Sequence, residues 1–198
     1  MPEKIALRPA ENHDGEFLYS VYASTRRSEV SAFGWADGQQ DAFLRMQFEM
    51  RRRSYLMQYP QAENCVILCG DVPAGSIIVD RATDHISITD IAVLPEFRGR
   101  GIAGQMIAEL QHEAAKAGVP VVLSVDKGNL NARRLYEKLG FETAGETELT
   151  VEMCWTGAVR NVRIKWAVNG RADVDRPRID SSPLCSRTAG SRRLADSG

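Results

Sequence analysis

The sequence predicts an α/β layer fold in one domain, with helices packed on a mixed sheet. Three observations carry that expectation. Apolar residues alternate with period two in some segments and recur with period 3.6 in others, and the two kinds are interleaved along the chain. Glycine and proline punctuate the boundaries between them. At 198 residues, with 43% hydrophobic and 26% charged side chains, the chain has ordinary globular composition and length left for an appendage. A wholly disordered chain, a collagen-like fibre and a cysteine-stapled miniprotein are thereby excluded.

Residues 4–8 alternate polar and apolar and read as a first strand. A turn over residues 9–13 leads to a helix opened by Asp14, Gly15 and Glu16, with Phe17, Leu18, Val21 and Tyr22 on one face. Residues 26–38 read as irregular, mixing charge with Phe33 and Trp35. A second helix is expected from about Asp37 to Met57, with Phe43, Leu44, Gln47, Phe48, Arg51, Tyr55 and Leu56 on its period. Arg51, Arg52 and Arg53 are expected mostly at solvent, and Pro60 ends the helix. Strands come next at residues 64–69 and 74–80, joined by Gly70 and Asp71 as a hairpin turn.

Residues 85–93 alternate, with Ile86, Ile88, Asp90 and Ala92 on one side, until Pro95 cuts the run. Ile102, Met106, Ile107, Leu110 and Ala114 then form a helical stripe that stops at Gly118. Residues 121–125 read as a buried strand, and residues 132–139 as a helix closed by Gly140. Phe141 begins the last strand region, where Leu149, Val151 and Met153 point one way. Residues 162–168 leave room for one more strand, and beyond Asn169 the composition is that of disorder. The domain is expected to span residues 1–155, with a basic C-terminal extension over residues 156–198, largely disordered.

Charge and cysteine usage narrow the partners. Residues 1–155 carry 16 basic and 22 acidic side chains, against nine and four in residues 156–198. An acidic body does not suit nucleic acid, and the basic extension has only Trp166 as aromatic company, so no nucleic-acid partner is expected. Cys65, Cys69, Cys154, Cys185 and the three histidines are too dispersed for a zinc pattern, so no metal is expected, and nothing argues for an oxidising compartment. Apolar runs fall far short of the ~20 residues a membrane helix needs, and the start lacks a secretory design. No membrane partner and a cytoplasmic location are expected.

The chemistry gathers where the period changes. A strand runs into Leu94, Pro95, Glu96, Phe97, Arg98, Gly99, Arg100, Gly101, Ile102, Ala103 and Gly104, and then into an amphipathic helix. Such glycines let the backbone turn tightly, and the amides of the turn and of the first helical turn make a phosphate cradle. Arg98 and Arg100 add positive charge. A Walker A loop would need Gly-Lys-Ser/Thr, which is absent. The glycine spacing fits a dinucleotide fingerprint, yet the loop comes after several strands, and Glu109 and Glu113 fall inside the helix instead of ending a second strand. The bland alternative is an ordinary glycine-rich loop.

The stretch from Ile91 through Pro95 to Arg98, Gly99, Arg100, Gly101, Ile102 and Ala103 resembles the acetyl-CoA signature of the GCN5-related N-acetyltransferase (GNAT) superfamily. A second element of that family appears in order, from Asn129 through Asn131, Leu135, Tyr136 and Gly140 to Phe141. The likeness covers roughly residues 3–155. It implies a single-domain acetyltransferase-like fold with a mixed, mostly antiparallel central sheet, flanked by helices and splayed at the cofactor site. It also implies that the backbone of Ile91, Ala92 and Val93 pairs with the pantetheine arm of acetyl-CoA, that amides of residues 98–104 hold the pyrophosphate, and that Asn131 lies beside the pantetheine or the acyl group.

On the same resemblance, Tyr136 faces the sulfur, where a phenol can donate a proton or a hydrogen bond to the departing thiolate. Packing within the helix is its alternative. Asp90 is a lone acid on an otherwise apolar strand face, a candidate base or a structural carboxylate paired with an arginine. Glu29, read into the loop between the first two helices, is a candidate for base work or acceptor binding, and Tyr22, Phe33 and Trp35 are candidate walls of the acceptor pocket. The expected activity is transfer of an acetyl group from acetyl-CoA to a primary amine of a small molecule, amino acid or protein, by direct attack in a ternary complex. The alternatives are a non-catalytic acyl-CoA-binding module and a transferase of longer acyl groups, decided by pocket width near Ile88 and Leu123. A homodimer is left open.

Overall fold

The computed structural model describes residues 4–157. Its strands are β1 (Ile5–Pro9), β2 (Glu63–Cys69), β3 (Val72–Arg81), β4 (Ile86–Val93), β5 (Val121–Asp126), β6 (Glu142–Glu146) and β7 (Thr150–Trp155). Its helices are α1 (Gly15–Ser31), α2 (Asp37–Gln58), α3 (Ile102–Ala117) and α4 (Leu130–Lys138). The strands form one sheet in the order β1-β2-β3-β4-β5-β7-β6. Every neighbouring pair is antiparallel except β4 and β5, which α3 connects as a parallel crossover.

The main core lies between the sheet and the two helices C-terminal to the glycine loop. Ile67, Ile77, Ile86, Val121, Val151 and Met153 from the strands meet Met106, Ile107 and Leu110 of α3 and Tyr136 of α4, all buried. A smaller core of Tyr19, Ala23, Val30 and Leu44 joins α1 to α2. Asp14 starts α1 from a buried position and is gripped by both guanidinium nitrogens of Arg8 at 2.6 Å. That grip, against the opposing effect of burial, holds the Asp14 carboxyl well below the usual carboxylate range. At the other end of the sheet, Arg81 of β3 meets Glu113 of α3 in a buried ion pair at 2.7 Å.

Three expectations need correction. Residues 26–31 are helical, because Ala23 and buried Val30 stay on one stripe seven residues apart while Arg26 and Glu29 pair on the exposed side. Glu29 therefore sits on α1 and not in a loop. The alternation along β4 is interrupted: Asp90 pairs with Ile78 and Ile88 with Val79, so Thr89 is an extra residue in a β-bulge. Ile88, Ile91 and Val93 all face the main core as a result, and Asp90 points away from it. The last strand region is two strands, and Leu149 lies exposed at the turn between them. The expected strand at 162–168 and most of the expected extension at 156–198 lie outside the described residues. Among the described residues, no helix is long and apolar enough to cross a membrane.

Candidate active site

β4 and β5 stay together for only three residues, Ile86–Ile88 against Val121–Leu123. Beyond them the two strands part. Among the described residues, the edge of β4 over residues 89–93 that faces β5 has no neighbouring strand, while its other edge pairs with β3. A hydrogen-bonding edge inside a sheet is an open place for an extended ligand chain.

The glycine loop stands at the mouth of this opening. A short turn at Pro95–Phe97 leads to Gly99 and Gly101, with φ of +76° and +78°. A side chain at either would be strained in this left-handed conformation. The turn they make aims the N-terminus of α3 at the opening. Among the described residues no side chain caps that terminus, and no acid sits in its first turn, so the leading amides of Ile102, Ala103 and Gly104 remain for an anionic ligand. A pyrophosphate fits this cradle. The two arginines of the loop serve its shape. Arg98 donates from Nε to the Val93 carbonyl at 2.9 Å and reaches to 3.4 Å of Ser24 Oγ on α1, strapping loop, strand and helix together. Arg100 donates to the Glu96 carbonyl at 3.1 Å and covers the Phe97 ring.

Asp90 stands beside the bulge, and Tyr136 of α4 lies close enough to feel its charge. Tyr136 is buried, its ring tilted against Phe141 at 5.8 Å, and its hydroxyl makes no hydrogen bond among the described residues. Burial, with a further push from the Asp90 charge, takes its pKa up to about 12. Asp90 accepts a hydrogen bond from Arg51 Nη2 at 2.7 Å. Burial raises the Asp90 pKa, and the guanidinium of Arg51 opposes the rise without cancelling it.

Arg51 is the residue that sequence reasoning missed. It is half-buried, whereas Arg52 and Arg53 are exposed as expected. Its Nε donates to the Tyr55 hydroxyl at 3.0 Å, and its guanidinium lies 5.0 Å from the Tyr55 ring and 5.7 Å from the Tyr22 ring. Its place on the same period as Gln47 and Tyr55 was the available signal, masked by two charged neighbours. Between α1 and α2 an open groove of about 530 Å³ is lined by Arg51, Tyr22, Arg26, Glu29, Gln47, Met46 and Met50. Glu29 is thus on the groove wall, paired with Arg26 at 3.1 Å. Phe33 and Trp35 do not line it; they pack against each other, and Trp35 meets Phe43 edge-on. Asn131 is exposed in the first turn of α4, and it is Asn129 whose side chain caps that helix. Among the described residues no cluster of three or more His, Cys, Asp or Glu could hold a metal ion.

A sheet that opens between two parallel strands, with an uncapped helix N-terminus and a glycine turn at its mouth, defines a class of protein with a place for an extended ligand that carries an anionic group. The chain belongs to the acetyltransferase (GNAT) family, which matches over residues 19–141, and membership carries acyl transfer as the general activity. No curated protein sequence matches the chain. Solved structures share the fold at low identity. PaiA N-acetyltransferase from Thermoplasma acidophilum, in complex with coenzyme A, is 16% identical with a TM-score of 0.59, over 78% of this chain and 99% of that one. An acetyltransferase from Thermus thermophilus is 16% identical with a TM-score of 0.58, over 78% and 97%. Arabidopsis thaliana Naa50, in complex with the bisubstrate analogue CoA-Ac-MVNAL, is 16% identical with a TM-score of 0.53, over 77% and 99%.

Proposed function

We propose that the protein is an acetyl-CoA-dependent N-acetyltransferase acting on a primary amine by direct attack in a ternary complex. The observation that carries this reading is the parted β4 edge facing the uncapped start of α3, with Asp90 beside the bulge and Tyr136 near enough to feel its charge. Acetyl-CoA bound there supplies an acetyl group activated as a thioester. The backbone of Ile91, Ala92 and Val93 holds the pantetheine arm as an added half-strand, and amides of residues 98–104 hold the pyrophosphate. Asn131 borders the arm from the start of α4.

Asp90 takes a proton from the acceptor ammonium, so that a neutral nitrogen attacks the carbonyl carbon. The C–N bond forms as the C–S bond breaks. Of the three ammonium protons, one stays on the amide nitrogen, one passes through Asp90 to solvent, and one ends on the released thiol. Tyr136 donates a hydrogen bond to the departing sulfur. A phenol at about 12 is too weak an acid to hand its proton outright to a thiolate whose conjugate acid lies near ~8.5. Glu29 and Arg26 stand on the wall of the acceptor groove.

A panel of primary amines incubated with acetyl-CoA, read by product mass and thiol release, tests the reading. Turnover with at least one amine is expected. Binding of acetyl-CoA without turnover on any amine would leave a non-catalytic acyl-CoA-binding module, and turnover only with longer thioesters would assign a different acyl donor.

A further inference from the structure

Arg51 lines the groove between α1 and α2 and reaches Asp90 on β4, and the geometry of this ion pair is not that of a closed structural bond. Arg51 spends Nη2 on one oxygen of Asp90 and Nε on Tyr55, while Nη1 makes no hydrogen bond among the described residues. The guanidinium plane is held near the rings of Tyr22 and Tyr55, and the residue lines the open groove between α1 and α2. The result is a pre-oriented fork with one free prong at the groove, beside a carboxylate 2.7 Å away. Opposite charges this close in the protein are matched by opposite charges equally close in a ligand. Met46 and Met50, both exposed, give the groove an apolar wall beyond the charged pair.

We propose that Arg51 selects an acceptor whose amine lies beside a carboxylate, that is, a free amino acid with an apolar side chain. The inference rests on the N-acetyltransferase reading above. The acceptor carboxylate takes the guanidinium of Arg51 through Nη1 and Nη2, and its ammonium takes Asp90. One carboxylate replaces another on Arg51, so the guanidinium keeps its charge balance while Asp90 is released to accept the ammonium proton. The C–N and C–S bond changes and the proton tally are those of the transfer described above. The apolar side chain runs along Met46 and Met50.

Initial rates of thiol release from acetyl-CoA, measured with leucine, methionine and phenylalanine and with the carboxamide of each, test the proposal. The carboxamide amine is less basic and more of it is neutral near pH 7.5, so intrinsic reactivity favours the carboxamides. The expected result is the opposite, with kcat/KM for the acids about 10- to 100-fold higher, the size of a lost charge-assisted hydrogen bond. Arg51→Gln should bring that ratio to about one, and Arg51→Lys should leave only a small part of it, since an ammonium lacks the fork. Melting and acetyl-CoA binding of each variant report on folding, and Arg51→Lys keeps the test alive if Arg51→Gln does not fold. Carboxamides used as well as the acids, or a ratio that survives in both variants, would overturn the proposal alone. Absence of turnover with every amine would overturn it together with the reading on which it rests.

Discussion

Tyr136 and Asp90 have their pKa values pushed up by the same cause, burial, and the consequences differ because the proposed reaction wants one neutral and the other ionised. The phenol at about 12 stays protonated across the working range, so Tyr136 contributes no alkaline loss of rate below about pH 10. Tyr136→Phe keeps the ring against Phe141 and removes only the hydroxyl proposed to meet the sulfur. It should lower kcat by roughly 10- to 1,000-fold with little change in coenzyme A affinity, read by steady-state rates beside a binding titration. Asp90 carries a folded pKa above its ordinary value of 3.8. The native state therefore binds more protons than the unfolded chain in the window between the two values, and stability falls as pH rises through it. Asp90→Asn should flatten that slope in melts taken against pH. The same substitution should lower kcat, and the loss should shrink as pH rises and more acceptor amine is already neutral. An unchanged rate at every pH would remove Asp90 from proton transfer. Tyr136 was legible through its motif and Asp90 as a lone acid on a strand. Arg51 was not, because three consecutive arginines read as a solvated face until the bulge aims Asp90 at one of them.

The order of strands and helices could be read from periodicity almost throughout, while the two features that shape the site could not. A β-bulge is a mismatch between two strands, and Thr89 carries no local mark of it. The parting of β4 from β5 is likewise a property of pairing. The glycine turn was legible, since few residues other than glycine adopt its backbone. A Cβ at Gly101 would meet nothing within 4 Å, so Gly101→Val has space and suffers from conformation alone, about 1–2 kcal/mol at φ +78°. The variant should fold with a modestly lower Tm. The Tm rise produced by acetyl-CoA and by free coenzyme A should disappear, because the leading amides of α3 are re-aimed; an undiminished rise would refute the cradle. α3 is also tied to the sheet by Glu113 and Arg81. Glu113→Ala leaves a buried guanidinium, typically a loss of about 3–5 kcal/mol. Glu63, 3.1 Å from Arg81 Nη1, remains as a partner and puts the expected loss at the lower end, about 3 kcal/mol. Replacing all three charges, Arg81→Met and Glu113→Leu with Glu63→Gln, should recover most of it in urea unfolding.

At the scale of the whole molecule, the main core is closed by elements that run from Ile5 on β1 to Trp155 on β7, and both the opening at β4 and the groove between α1 and α2 lie within that span. The C-terminal stretch of the chain has little to add by burial. Residues 169–198 hold four large aliphatic side chains, Val174, Ile179, Leu184 and Leu194, and no aromatic one. Fully buried, these would contribute at most about 6–12 kcal/mol. Ordering thirty backbone residues costs roughly 30–60 kcal/mol. The imbalance predicts that a chain ending at residue 168 melts within about 2 °C of the full chain and keeps both its acetyl-CoA-induced Tm rise and its rate of thiol release. The two readouts separate two ways of being wrong. A Tm that falls by many degrees would mean that the removed residues cover apolar surface of the sheet. An unchanged Tm with a raised acceptor KM would mean that they complete the groove between α1 and α2, whose walls among the described residues come from those two helices.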